Sequence, residues 1–431
     1  MECLIMLNIV SFERILLFLI MTTVGSPYLS SWLPKVSDMP IGPLIRCVAI
    51  LLFYVIIIYT LFLSGSFKVN GSLITLFILM LSGTLLSIID NRSNILQVVL
   101  GLHALVFYPM VFSILACYFN NDYDNDRWRR IAFFLKRVLT VVFLITSSIA
   151  IIDVVTGGNF TLMLGYNPNY GGDNFSLINR YYDLVRANGG FADALAFGYL
   201  MVIAFIFFVY NIFSKYGSKY TNLLGAILAI IACFMSITRG AIIALICSGL
   251  IFLCRSKIIV KASASLMAFV LLVAISLSSY SDIFIGRFTD SDKGSKYSTT
   301  QRFDMASNSI DFLVNHPLGE GLGSQGAGST LSQTTERINT DNFIFHGMLE
   351  AGIFGGLMFQ LLILYQFRVF YKKTKGARQF FFALFFLYWL SAAVSSSFQA
   401  GILSVLFWIV CFIIYSETII TRRESLLECG K

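Results

Sequence analysis

Residues 192–213 read ADALAFGYLMVIAFIFFVYNIF, and after Asp193 the stretch carries no charge at all. A helix of that length rises about 30 Å, the thickness of a bilayer's hydrocarbon core. Only a helix or a closed barrel satisfies its own backbone in lipid, and this run is too long and too uniformly apolar for an alternating strand. Similar runs recur at about 4–24, 44–63, 71–89, 95–119, 131–155, 221–238, 241–254, 262–280, 345–367, 380–398 and 401–418. The 431 residues are 57% hydrophobic and 13% charged, against roughly 25% charged in soluble domains. The expected fold is therefore an all-α polytopic membrane protein of about twelve transmembrane helices. It forms a single integral membrane domain over residues 1–431, with no soluble domain left over. Glu13 and Arg14 interrupt the first run and no A-x-A site follows, which predicts a retained first helix rather than a cleaved signal.

Charge sets the expected orientation. Arg127/Arg129/Arg130/Lys136/Arg137, Lys215/Lys219, Arg255/Lys257/Lys261, Arg368/Lys372/Lys373/Lys375/Arg378 and Arg422/Arg423 all fall on one side of the span order. The positive-inside rule makes that side the cytoplasm, with both termini on it. About 19 of the 31 basic residues then face inward, whereas about 14 of the 23 acidic residues face outward. Two outer segments, about 156–191 and 281–344, exceed ordinary connectors and are expected to be functional.

Several classes drop out. The net charge of +8 is accounted for by topology, so no nucleic-acid partner is expected. The eight cysteines lack CxxC spacing and neighbouring histidines, so neither a metal site nor a disulfide framework is expected, and no cofactor. No internal repeat mirrors one half on the other, and the suspect charges gather at one face, which weighs against a flippase or other twelve-helix carrier. A structural membrane subunit has no need of three arginines and several acids on one face.

Three outer-face features can carry chemistry. Arg302 precedes His316-Pro317-Leu318-Gly319-Glu320-Gly321-Leu322-Gly323, whose glycines permit close backbone approach to a ligand or form a plain turn. Asp341-Asn342 follow, just before the tenth span. Ser236-Ile237-Thr238-Arg239-Gly240 joins two short apolar runs in a tight helical hairpin, where Arg239 either snorkels or meets an anion. Arg186 lies ahead of Gly190-Phe191, as a ligand contact or as a partner of Asp193 or Asp183.

In that order, together with Gly352-x-x-Gly355, these motifs resemble the O-antigen polymerase and ligase family over about residues 180–365. The resemblance implies a glycosyltransferase of the bacterial inner membrane with a GT-C-like architecture and two longer periplasmic loops. Its donor would be an undecaprenyl-diphosphate-linked glycan, with the lipid bilayer as setting and a flippase and chain-length regulator as neighbours. Ligases of the family carry a His-Asn pair eleven residues before the first glycine of G-x-x-G. Here that register holds Asp341, and an acidic residue there is the polymerase-like pattern. His346 is the nearby substitute, with a structural histidine as its other reading.

The chemistry of the residues divides the labour in the same way. Arginine presents a planar, permanently charged fork to phosphate oxygens, which makes Arg186, Arg239 and Arg302 candidate diphosphate ligands without a metal. A carboxylate can accept the acceptor hydroxyl's proton, and Asp341 and Glu320 are the candidates, with His346 beside them. Either carboxylate can instead pair with Arg302 or Arg337. Glu350, inside the tenth span, is a functional candidate or a packing partner; His103 is structural. Polymerisation is the favoured reading, and ligation of glycan to lipid A core is the alternative.

Overall fold

The computed structural model describes residues 17–22, 71–91, 95–102, 108–121, 124–163, 180–181, 184–189, 193–255, 293–325, 340–399 and 401–429, with a few isolated positions besides. The described chain is helical apart from one two-residue ladder. The order is α1 (Gly71–Asn91), α2 (Ile95–Leu102), α3 (Tyr108–Asn121), α4 (Asn125–Val155) and α5 (Asn159–Met163), then the antiparallel pair β1 (Arg180–Tyr181) and β2 (Leu184–Val185). There follow α6 (Ala194–Phe213), α7 (Lys219–Met235), α8 (Arg239–Arg255), α9 (Lys293–Asn315), α10 (Phe343–Lys373), α11 (Arg378–Val394) and α12 (Gly401–Cys429).

Five helical stretches are long and apolar enough to cross a membrane: Asn125–Val155, Ala194–Phe213, Phe343–Lys373, Lys375–Val394 and Ile402–Leu426. Four shorter apolar helices accompany them among the described residues. The chain is a polytopic helical membrane protein. The expected spans at 44–63 and 262–280 lie almost entirely outside the described residues, and of 4–24 only 14, 17–22 and 24 are described, all of them helical. The expected 95–119 span is not one helix: α2 ends at Leu102 and α3 starts afresh at Tyr108. Pro109 sits in the first turn of α3, where its missing N–H leaves no bond unmade. The long segment after α8 holds a 23-residue helix, α9, so it is not a structureless connector.

Burial follows the residue pattern. From Val405 to Tyr415 every side chain of α12 is within 1% of full burial, as expected of a helix that is apolar all round. Around it, Phe112, Phe119, Trp128, Phe412 and Tyr415 meet edge to face, Phe119 and Trp128 at 5.2 Å between ring centroids. Outward-facing apolar residues recur at helical spacing, as in Phe354, Leu357, Leu361 and Leu364 of α10, and mark the lipid-facing stripe.

Helix α10 is broken. Gly352 has φ 73° and ψ 167°, which uncouples the backbone on either side of it. The loop after α9 repairs the break: the Ile353 N–H donates to the Pro317 carbonyl at 2.9 Å, and the Glu320 N–H donates to the Leu349 carbonyl at 2.7 Å. Ser87 of α1 donates its hydroxyl to the Glu350 carbonyl at 2.8 Å. Non-helical backbone at membrane depth survives only when protein satisfies it in this way. A Cβ on Gly319, itself at φ 79°, would lie 2.3 Å from the Leu349 carbonyl oxygen, so the loop approaches as closely as backbone can.

The basic clusters at 127–137, 214–219 and 422–424 come together at one end of the bundle. Arg129 pairs with Glu424, Arg423 donates to Asn125 at 3.2 Å, and Lys136, 1% exposed, pairs with Glu417 at 2.6 Å. Lys136 also donates to Ser214 at 2.9 Å and lies 4.9 Å from the rings of Tyr210 and Tyr216. Removing the counter-ion of a buried charge typically costs about 3–5 kcal/mol. Glu417→Ala is therefore expected to lower the thermal unfolding midpoint in detergent, whereas Glu424→Ala, which breaks the exposed pair with Arg129, should move it by no more than about 1 kcal/mol.

Candidate active site

The opposite end of α6 from that basic cluster opens into a cleft of about 500 Å³, within the roughly 300–1,000 Å³ typical of ligand sites. Five helices build it. Thr238, Arg239 and Gly240 come from the start of α8, Thr299, Arg302 and Phe303 from one face of α9, Asp341 and Asn342 from the entry to α10, and Leu390, Val394 and Ser395 from the end of α11. Leu195 and Tyr199 of α6 form the floor.

Local structure explains each placement. The turn between α7 and α8 closes through Ile237, a buried β-branched residue held at φ 51°. Such a conformation stores about 1–3 kcal/mol and persists only when its surroundings enforce it. Arg186 supplies part of that enforcement: its Nε donates to the Ser236 carbonyl at 2.9 Å and its Nη2 to the Thr238 hydroxyl at 3.2 Å. The Ala187 N–H adds a bond to the Met235 carbonyl at 3.0 Å. Arg239 thereby becomes the first residue of α8, where the positive end of a 17-residue helix favours an anion. Its Nη2 donates to Thr299 Oγ1 at 3.2 Å. Gly240 beside it leaves room for the Tyr199 hydroxyl, which lies 2.1 Å from where a Cβ would stand.

Across the cleft, Asn342 caps α10: its Oδ1 accepts from the Ile344 and Phe345 N–H groups at 2.8 and 3.3 Å, and its Nδ2 donates to the Ala393 carbonyl at 2.9 Å. Asp341, one residue earlier, is held at the rim by that cap. Its Oδ2 lies 3.5 Å from Arg302 Nε, and both side chains are partly exposed.

Of the six residues singled out from the sequence, the fold brings Arg239, Arg302 and Asp341 into one cleft. Arg186 stands one layer behind it, bonded to the hairpin turn. Glu320 and His346 belong to a different cluster beside the break in α10. There His346 Nε2 lies 3.3 Å from Glu350 Oε1, and Gln325 donates its side-chain amide to Glu320 at 2.7 Å and its backbone N–H to Glu350 at 3.3 Å. Those four side chains are all buried and are absent from the cleft lining. The hairpin expected at 236–240 is present. Tyr199, Thr299 and Ser395 went unnoticed in the sequence. Thr299 had a usable signal, since it stands one helical turn before Arg302.

The described chain is thus an integral membrane protein whose helices hold two arginines opposite one carboxylate at a single end. Residues 224–360, which include Arg239, Arg302, Asp341 and the broken helix, match the family described as O-antigen ligase. The chain is also 34% identical over 343 residues to an O-antigen polymerase of Salmonella muenchen, an alignment covering 76% of this chain and 84% of that protein. The protein belongs to the O-antigen polymerase and ligase family.

Proposed function

We propose that this protein is an O-antigen polymerase, joining oligosaccharide repeat units carried on undecaprenyl diphosphate at the periplasmic face of the bacterial inner membrane. The observation that carries this reading is the cleft itself, with Arg239 and Arg302 facing Asp341 at the end of the bundle opposite the basic clusters. The donor's diphosphate binds the guanidinium forks of Arg239, at the start of α8, and of Arg302, on α9, with the α8 dipole adding to the charge of Arg239. An acceptor sugar hydroxyl attacks the anomeric carbon. The bond from that carbon to the diphosphate oxygen breaks, the diphosphate leaves with the electron pair, and Asp341 takes the hydroxyl proton. The arginines stabilise the departing charge, and the reaction on this reading is metal-independent. Leu195, Leu390 and Val394 give the cleft an apolar flank suited to the isoprenoid. Arg186 acts through the hairpin turn as a positioning residue.

Ligation to lipid A core is the second reading, supported by the description of the family matched over 224–360. Glycan analysis of a deletion strain separates the two. Surface lipid carrying a single repeat unit is the expected phenotype, and core without any repeat would transfer the protein to the ligases.

The same reading puts both termini and the basic clusters in the cytoplasm, with a flippase and a chain-length regulator as neighbours in the membrane. In a cysteine-free background, a cysteine at the exposed Asn308 should react with an impermeant maleimide in intact spheroplasts. One at the exposed Tyr220 should react only after lysis. The reverse pattern would invert the topology.

A further inference from the structure

The two halves of the proposed machinery touch each other across the cleft. Arg302, read as a ligand of the donor, lies against Asp341, read as the base, and the contact is a poor one. Charge-assisted N–H···O bonds run about 2.7–2.9 Å, whereas Nε and Oδ2 stand 3.5 Å apart. Arg302 Nε is shielded from solvent yet makes no hydrogen bond among the described residues. The guanidinium is thus held near a carboxylate that does not satisfy it, inside a cleft that also contains Arg239. Helix α9 carries both links across the opening: Thr299 accepts from Arg239, and three residues later Arg302 reaches Asp341.

We propose that the donor itself releases the base. Before donor binds, Arg302 holds Asp341 Oδ2 in a long contact, and a diphosphate at Arg239 draws Arg302 away by offering oxygens at bonding distance in a geometry that fits its fork. Oδ2 is then free to accept the proton of an acceptor hydroxyl. One consequence follows for the reaction: although the Asp341 side chain is half exposed, Oδ2 stays engaged by Arg302 until the diphosphate arrives, so donor binds before acceptor. The idea rests on the assignment of Arg302 and Asp341 above.

The test reads the accessibility of Asp341 directly, without requiring turnover. Full-length protein in nanodiscs of phosphatidylethanolamine and phosphatidylglycerol is treated with a water-soluble carbodiimide and glycine ethyl ester, with and without undecaprenyl diphosphate. Modified carboxylates are located by peptide mass spectrometry. The exposed Asp304 and Asp311 of α9 serve as internal references. Modification of Asp341 should rise several-fold with the lipid while the references stay constant. In Arg302→Gln it should be high from the start and indifferent to the lipid. Radiolabelled undecaprenyl diphosphate in the same discs reports binding. Bound lipid with unchanged or reduced modification of Asp341 would overturn the release, leaving the donor site standing. Lipid that fails to bind removes the donor site and the release together.

Discussion

Cells whose only copy of this protein carries Asp341→Asn should display lipopolysaccharide bearing single repeats, with the long ladder gone. Asparagine keeps the shape beside Arg302 and the Asn342 cap but cannot take a proton from the acceptor. Loss of a general base typically costs about 10²- to 10⁴-fold in rate. A carboxylate that served only as the partner of Arg302 behaves differently. Exposed pairs of this kind contribute roughly 0–1 kcal/mol, and removing one would hardly shorten the chains. Ladders from cells expressing each variant at matched levels decide between them, with Glu320→Gln and His346→Ala alongside. Glu320 and His346 are buried beside the break in α10, so their variants should reduce the amount of folded protein more than the chain length made per molecule. A full ladder from Asp341→Asn beside a single-repeat pattern from His346→Ala would move the base to the histidine.

Arg239→Ala is expected to have an effect of similar size on the leaving-group side. Removal of one preorganised donor to a developing negative charge typically costs about 10²–10³-fold. Arg239 has two supports for that role: the start of α8 behind it and Thr299 beside it. Arg239→Lys keeps the charge and loses the fork, because an ammonium binds phosphate as a point charge. Its ladder should therefore stay short. Normal ladders from Arg239→Lys and Arg302→Lys together would remove bidentate recognition from the mechanism. Arg186→Lys offers a contrast. Lysine can still donate to the Ser236 carbonyl, so it should retain more activity than either lysine variant in the cleft.

Helical membrane architecture was readable from residues 192–213 and their counterparts because an apolar run of that length has few other stable states. The hairpin at Ser236–Gly240 was readable for a similar reason: two runs too close together leave room only for a tight turn. The pairing of Arg302 with Asp341 was only one of several open pairings, since their contact joins residues on separate elements. Other features depended on packing that no local pattern reports. In the sequence Gly352-x-x-Gly355 is legible only as a family motif, and in the fold Gly355 packs against Gly83 of α1. Its partner Gly352 instead breaks the helix. Glu320 looked like a catalytic candidate by position in a glycine-rich loop, and only the fold reveals that the loop turns it toward Gln325. Tyr199 sits in an ordinary apolar span, and its place in the cleft depends on the missing side chain of Gly240.

The repair of α10 also bears on how such enzymes can be recombined. Residues 316–325 and 349–353 are sewn together through main-chain groups, and the closely approached Gly319, Gly323 and Gly352 with the bonded Glu320, Gln325 and Glu350 tie the side chains of both strips to the seam as well. The seam does not survive separation of its halves. A chimera that imports one strip from a relative without the other will juxtapose a helix interruption and a loop shaped for different partners. Crossover points that keep 316–353 as one cassette should yield folded hybrids, and within such hybrids the exchange of sugar preference can be sought in the surrounding loops.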